Sequence, residues 1–217
     1  MKYPCLVLDH DDTVVQSTAQ IHYPAFIHCL AVFRPQAIPL DERGFIEVCA
    51  HPGLMEYYQQ VHNFTQEEMA LELDVWRTFV KEKIPDAHEG FRELLTQYKQ
   101  AGGMVCVVSH SDKVLIERDY QHHFGFTPDL IYDLAFAPHK PDPAPLQDLM
   151  HRYRFQPNQL LVVDDLPVGK AMADAAGVDF VYAGWCNTAP SVHEHMVSIS
   201  PCTLYHPSEL ANLLELI

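Results

Sequence analysis

The sequence predicts an α/β protein in which a doubly wound parallel sheet carries an inserted α-helical subdomain. Short apolar runs alternate with helical patterns along most of the chain, as buried parallel strands alternate with crossover helices. About a hundred residues separate the first apolar run from the second. A single crossover helix needs far fewer residues, so a separate segment is expected between these two strands.

Six apolar runs are candidate strands, at 6–8, 104–108, 130–132, 160–163, 178–182 and 202–204. A helix from about Glu89 to Ala101 precedes the second run, and a last helix is predicted from about Ser208. In a Rossmann-like sheet of this kind, ligands bind beyond the carboxyl ends of the strands. Functional residues are therefore expected directly after the apolar runs.

The predicted insertion, an α-helical cap, covers residues 17–85, and the α/β core covers 1–16 and 86–217. Inside the insertion, residues 25–33 form an apolar helical pattern that ends before Pro35.

A second helix of the insertion begins with Thr65 and Glu68, which have the spacing of a capping box. Apolar residues then follow at intervals of three and four, at Met69, Leu73, Trp76 and Val80. Such a stripe either packs between helices or forms the wall of a ligand site. Packing between cap helices is the interpretation favoured here.

The composition limits the partners of the chain, since 14 Lys and Arg stand against 29 Asp and Glu, for a net charge of -15. This charge repels nucleic acids and anionic lipids, so neither a nucleic-acid nor a membrane partner is expected. The first residues, Met1 to Pro4, lead into an apolar run that acidic residues soon interrupt, which predicts no signal peptide. Six cysteines without CxxC spacing indicate reduced thiols in a cytoplasmic protein. No obligate protein partner is inferred.

Acidic residues crowd the ends of two predicted strands. Asp9, Asp11 and Asp12 follow the first strand, and Asp164 and Asp165 follow the fourth. Like charges at this density are unfavourable unless a cation neutralises them or one carboxyl holds a proton. Because Mg²⁺ binds carboxylate oxygens, water and substrate phosphate, the two clusters predict a shared magnesium site.

Ser109 and Lys140 supply groups that suit a phosphate. Ser109 follows the second strand directly, and Lys140 precedes Pro141 ahead of a helix. A hydroxyl at a strand-to-helix junction and an ammonium group both stabilise phosphoryl oxygens. These two residues therefore predict a ligand that carries a phosphoryl group.

The order of these features, DxDxT after strand one, Ser after strand two, Lys-Pro, and paired acids after strand four, resembles the haloacid dehalogenase superfamily. The resemblance covers the whole chain, and the helical insertion resembles the cap of the phosphoglycolate-phosphatase and β-phosphoglucomutase branch. It implies a magnesium-dependent phosphatase acting on a metabolite such as phosphoglycolate or a sugar phosphate.

By this resemblance, Asp9 is the nucleophile that becomes phosphorylated, and Asp11 is the acid and base. Burial and acidic neighbours are expected to raise the pKa of Asp11. Lys140 would offset charge between the nucleophile and the phosphate.

The remaining implied roles are shared among several residues. Hydrogen bonds to the transferring phosphoryl group would come from Thr13, Ser109 and His110. The ligands of Mg²⁺ would be Asp9, Asp11, Asp164 and Asp165. Asp11 would bind the ion through its backbone carbonyl, and the other three would bind it through their side chains.

Four positions depart from the family pattern. Asp12 stands where Gly is usual, Gln16 where Asp is frequent, His110 where Asn is frequent, and Gly169 where many members carry a further Asp. These changes leave the nucleophile, the acid and base, and the lysine in place. They put the substrate and the loop geometry in question.

Two other functions remain open. A phosphomutase would share the core chemistry but bind a second phosphate in the cap, for which Arg34, Arg43 or Arg77 are candidates. A binding or regulatory module on an inactive fold is the alternative of another class. The loop at 50–53 and Arg43 are candidate specificity elements.

Overall fold

A computed structural model describes residues 1–186 and 189–216 and confirms the α/β class. Residues 187, 188 and 217 of the predicted core lie outside the described residues. The described residues form one parallel sheet of six strands in the order β3-β2-β1-β4-β5-β6. The strands are Cys5–Leu8 (β1), Met104–Val108 (β2), Leu130–Tyr132 (β3), Leu160–Asp164 (β4), Asp179–Ala183 (β5) and Thr203–Leu204 (β6).

Helices connect the strands and fill the insertion. In the described residues the α-helices are Tyr23–Phe33 (α1), Glu42–Ala50 (α2), Leu54–His62 (α3), Gln66–Glu82 (α4), Phe91–Gln100 (α5), Lys113–Phe124 (α6), Ala144–Tyr153 (α7), Pro167–Ala176 (α8), Pro190–Ile199 (α9) and Leu210–Leu214 (α10). A π-helical turn, Thr18–His22, precedes α1, and 3₁₀ turns occupy Pro157–Gln159 and Pro207–Glu209. The last α-helix therefore begins after the predicted Ser208. No helix in the described part of the chain combines the length and apolar composition needed to cross a membrane.

The central strand β1 shows why the apolar runs are continuous. Leu6 and Leu8 belong to an apolar cluster with Phe91 on α5, whereas Val7 belongs to a second cluster with Leu146 on α7. Successive side chains of a strand point to opposite faces, so a strand covered on both faces needs apolar residues at every position.

Strand register brings the chain segments after β1, β2 and β4 to one edge of the sheet. Leu8 pairs with Val107 on one side and with Val163 on the other. The backbone N–H of Asp9 donates to the carbonyl of Val163 at 2.9 Å. The residues that follow these three strands therefore lie side by side.

The insertion between β1 and α5 has an apolar core of its own. Its buried members come from α1 to α3 and the turn before α4: Phe26, Cys29, Leu30, Phe45, Tyr58 and Phe64. The segments that enter and leave the insertion lie side by side, because the N–H of Gln16 donates to the carbonyl of Asp86 at 2.8 Å. The division into a core and a cap stays an interpretation, for which this arrangement gives support.

Candidate active site

Asp9 and Lys140 form a buried ion pair at the carboxyl edge of the sheet. The Lys140 ammonium donates to Asp9 Oδ1 at 2.7 Å and to Asp164 Oδ2 at 2.8 Å. Burial raises the pKa of Asp9 to about 7, opposed by Lys140 and reinforced by Asp164 and Asp11. Lys140 therefore neutralises part of the negative charge that the strand ends bring together.

Three carboxylates converge as the sequence predicts. Oxygens of Asp9, Asp164 and Asp165 lie within 4.8 Å of one another, and all three residues are buried. Burial and the charge of Asp9 raise the pKa of Asp165. An all-oxygen, anionic set of this kind fits a hard divalent cation such as Mg²⁺. The side chain of Asp11 lies outside this set, so its predicted metal contact is left to its backbone carbonyl.

Gly169 allows α8 to pack closely on Asp164. A Cβ at position 169 would lie well inside van der Waals contact with Asp164 Cγ. The Asp164 carboxylate also accepts from the N–H of Leu166 at 2.9 Å. The departure from the family pattern at 169 therefore fixes the orientation of an acidic residue of the site.

Thr13 orients the acidic cluster and does not face the cavity. Its side chain is fully buried, and its hydroxyl donates to Asp165 Oδ1 at 3.1 Å. The hydroxyl therefore helps to position Asp165. Phosphate binding by Thr13 stays a prediction.

The Asp11 carboxylate is held in its ionised form. Asp11 Oδ1 lies 3.0 Å from His22 Nε2, and Asp11 Oδ2 accepts from the Ser111 hydroxyl at 2.5 Å and the Ser109 hydroxyl at 3.5 Å. Burial alone would raise the pKa of Asp11, but His22, His10 and Ser111 outweigh it and lower the pKa well below its usual range. The expectation of a raised pKa is wrong for this structure, because donors surround the carboxylate.

Trp76 determines the tautomer of His22. The indole N–H of Trp76 donates to His22 Nδ1 at 2.8 Å, and the two rings stack with centroids 6.0 Å apart. Burial lowers the pKa of His22 and Asp11 raises it, with a net increase. The indole N–H faces His22 Nδ1, so the hydrogen that His22 donates to Asp11 lies on Nε2.

Asp12 adopts a conformation that explains why glycine is usual there. Its φ of 59° lies in the left-handed region, which Asp tolerates better than most residues. Its carboxylate accepts from the N–H of Thr18 at 2.9 Å, at the start of the π-helical turn. The carboxylate thus connects the nucleophile loop to the insertion.

The predicted phosphate-binding residues Ser109 and His110 border the same cavity as Asp9. Ser109 is buried, and its hydroxyl oxygen accepts from the N–H of Ser111 at 3.0 Å. His110 lies near His139, with ring centroids 5.6 Å apart. Phosphate binding by both residues stays a prediction.

A cavity of about 670 Å³ separates this edge of the sheet from the insertion. Met69, Leu73 and Trp76 line it, whereas Val80 packs with Ile21 away from it. The prediction that the stripe packs between helices is therefore correct for Val80. Met69, Leu73 and Trp76 also form a wall of the cavity. Of the predicted specificity loop, residues 52 and 53 line the cavity.

The arginines considered for a second phosphate point elsewhere. Arg34 donates to Glu68 at 2.8 and 2.9 Å, and Arg77 donates to Asp112 at 2.9 and 3.2 Å. Arg43 is exposed and lies 3.7 Å from a carboxylate of its own helix. None of the three lines the described cavity.

Sequence reasoning did not identify several residues of this site. His22 and Ser111 contact Asp11, but no local motif marks them, and the apolar stripe that contains Trp76 did not indicate its contact with His22. His10, between Asp9 and Asp11, lies 3.2 Å from Asp119 and is buried. Only its place between the two acids signalled a role.

Fold and site together define a class of α/β proteins in which an acidic site lies under a helical insertion. The sequence matches the family model for haloacid dehalogenase-like hydrolases over residues 6–183. The chain therefore belongs to the haloacid dehalogenase-like hydrolase family. No curated protein matches it in sequence.

Solved structures share the fold at low sequence identity. A structure from Bacteroides fragilis assigned to the haloacid dehalogenase-like hydrolases is 19% identical, with a TM-score of 0.79, covering 96% of this chain and 100% of that one. A predicted phosphoglycolate phosphatase from Haemophilus somnus is 16% identical, with a TM-score of 0.78 and 99% coverage of both chains. A structure from Bacteroides vulgatus assigned as a β-phosphoglucomutase is 19% identical, with a TM-score of 0.73, covering 99% of this chain and 88% of that one. These similarities establish the fold.

Proposed function

We propose that the protein is a magnesium-dependent phosphatase that hydrolyses a small phosphorylated metabolite through an aspartyl-phosphate on Asp9. The observation that carries the proposal is the convergence of Asp9, Asp164 and Asp165 within 4.8 Å, with the Lys140 ammonium 2.7 Å from Asp9. A carboxylate beside an ammonium and a cation site is suited to attack phosphorus, since most of the catalysis of phosphoryl transfer is positioning and charge stabilisation.

In the first step, an Asp9 oxygen attacks phosphorus while the bond from phosphorus to the leaving oxygen breaks. Asp11 gives its proton to that oxygen, so the products are the aspartyl-phosphate and a neutral alcohol. Asp11 must gain a proton beforehand. A substrate that displaces the hydrogen bonds from His22 or Ser111 shifts the pKa of Asp11 upward, in the direction required.

In the second step, water attacks phosphorus and the bond to Asp9 breaks, which releases inorganic phosphate. Asp11 takes the proton of the water, and Asp9 returns to a free carboxylate. The ionised, hydrogen-bonded Asp11 of this structure corresponds to the form needed here. His22 and Ser111 therefore support Asp11 as a base.

The residues that would hold Mg²⁺ are Asp9, Asp164 and Asp165, with the backbone carbonyl of Asp11. The bound ion would neutralise the negative charge that accumulates on the phosphoryl oxygens. Ser109 and His110 would donate to those oxygens. Lys140 would stabilise the same charge from the other side of Asp9.

The cavity favours a phosphatase over a phosphomutase. A mutase must hold a second phosphate in the insertion, and Arg34 and Arg77 are already committed to carboxylates outside the cavity. A non-catalytic module would not need the complete set of nucleophile, acid, lysine and acidic pair. A cytoplasmic location remains a prediction.

The experiment is hydrolysis of p-nitrophenyl phosphate with and without Mg²⁺, by the wild type and Asp9→Asn. We expect turnover that needs both the ion and Asp9. The matched control is Asp74→Asn, which changes an exposed carboxylate on α4 and leaves the rate unchanged. Equal rates for the wild type and Asp9→Asn would refute the proposal.

A further inference from the structure

The cavity has two chemically different ends. At the sheet, it is lined by the acidic residues, Ser109 and Lys140. The opposite wall, from α1 to α4, is largely apolar: Ala25, Phe45, Ile46, Leu54, Met69, Leu73 and Trp76. Among the described lining residues, Lys140 is the sole lysine or arginine, and it is already paired with Asp9 and Asp164.

Glu72 is a buried carboxyl within this apolar wall. It is 6% exposed, lines the cavity, and has no ion-pair partner among the described residues. The Tyr58 hydroxyl beside it is fully buried and has no partner within hydrogen-bond distance there. Tyr58 is a neighbour that favours the ionised form of Glu72, and no basic side chain of the described residues forms an ion pair with the carboxyl, so a ligand in the cavity is left to supply the cation.

The neighbourhood of Glu72 selects a cation over a neutral donor. Glu56 also lines the cavity, and five aspartates lie at its far end. Trp76 and Phe45 present aromatic surface, which attracts ammonium groups. The negative field of the whole chain, with a net charge of -15, acts in the same direction.

We propose that the substrate, given the phosphatase function above, is a phosphomonoester whose leaving alcohol is largely apolar and carries an ammonium group that pairs with Glu72. The phosphate lies against Asp9 and Lys140, the apolar spacer lies against the wall, and the ammonium lies at Glu72. A cavity of about 670 Å³ is large enough for a ligand of this kind.

This substrate class differs from the two that the sequence suggested. For the carboxylate of phosphoglycolate, the described lining residues offer no lysine or arginine other than Lys140, which is already paired with Asp9 and Asp164. A sugar phosphate would place several hydroxyls against apolar side chains, where they lose their hydrogen bonds to water. An apolar amino alcohol ester avoids both penalties.

The test compares three aryl phosphates with the same ring and the same two-carbon spacer: tyramine O-phosphate, 4-propylphenyl phosphate and 3-(4-phosphonooxyphenyl)propanoate. They present an ammonium, a methyl and a carboxylate group at the same distance from phosphorus. Their leaving phenols have similar acidity, so differences in kcat/KM report recognition by the cavity. We expect the ammonium ester to exceed the neutral ester by about 10-fold or more, as for a charge-assisted hydrogen bond, and the carboxylate ester to be the poorest.

The variant Glu72→Gln keeps the size of the side chain and removes its charge. The ratio of the ammonium ester to the neutral ester should fall to near unity. The matched control is Glu67→Gln, an exposed residue on the same helix, which should keep the wild-type ratio. Should Glu72→Gln fail to fold, the wild-type order of the three esters decides alone.

Binding separates this inference from the proposed function. Calorimetry of the three esters with Asp9→Asn measures their order of affinity without turnover. If no ester is hydrolysed by the wild type, the phosphatase proposal fails, and the binding order still decides the substrate class. If all three are hydrolysed or bound equally, or the carboxylate ester is best, the ammonium site is refuted while phosphatase activity stands.

Discussion

Replacing Glu72 by glutamine should stabilise the protein at high pH and not at low pH. Burial raises the pKa of Glu72 from 4.5 to about 7, and the opposing effects of Tyr58 and His22 are smaller. A change of this size corresponds to ~3 kcal/mol of difference between the folded and unfolded chains. Only 6% of the Glu72 residue is exposed, so solvent screening reduces this figure only slightly.

The sign follows from proton binding. Between pH 4.5 and about 7, the folded chain holds a proton on Glu72 that the unfolded chain has lost. The unfolded chain therefore binds fewer protons, and the free energy of unfolding falls as the pH rises through this window. Above pH 7 the full loss of ~3 kcal/mol is present. The amide side chain that replaces the carboxyl does not titrate, so the variant lacks this loss.

The assay is urea unfolding of the wild type and Glu72→Gln from pH 4.5 to 8.5. Titrating groups that do not act on Glu72, including Asp9 and Asp165, affect both proteins alike, so the difference between the two curves reports Glu72 together with its coupling to His22. We expect that difference to grow by ~3 kcal/mol across the range. Glu67→Gln should show no such growth, because this residue is exposed. Parallel curves for the wild type and Glu72→Gln would refute the argument that burial raises the pKa of Glu72.

Three further changes test the site and the insertion. Gly169→Ala places a Cβ against Asp164, so we expect the Mg²⁺ concentration for half-maximal activity to rise about 10-fold or more. An unchanged concentration would show that α8 moves aside without disturbing the site. Ser111→Ala removes the 2.5 Å hydrogen bond to Asp11 and should lower kcat about 10-fold with little change in KM; a rise in KM alone would assign Ser111 to substrate binding. Thr65→Ala removes the capping box of α4 and should lower the free energy of unfolding by about 1 kcal/mol in denaturant titrations, and no loss would mean that water replaces the cap.

Local sequence patterns predicted much of the fold. The apolar runs predicted each strand to within one or two residues, because a strand buried on both faces must be apolar throughout. The capping box at Thr65 and Glu68 is also confirmed. It could be predicted because its hydrogen bonds join residues only three positions apart. Acidic residues at two strand ends were enough to predict that the strand tips meet.

Partners in the site were decided by contacts between residues distant along the chain. Trp76 contacts His22 across 54 positions, and Thr13 contacts Asp165 across 152. The contacts around Asp11 reversed its expected pKa, and Thr13 gained a carboxylate partner that the sequence did not indicate. No local pattern contains them, because each depends on which surfaces of the insertion and the sheet face each other.

By itself, the sequence determined which residues end the strands and which charges they carry, since periodicity and residue type are local properties. Only the tertiary structure decided how those charges are compensated and what faces them across the cavity. Glu72 illustrates the difference, because in the sequence it is one acid of an amphipathic helix. Its burial opposite the site arises from the packing of that helix, and a pattern along one helix does not specify what lies across from it.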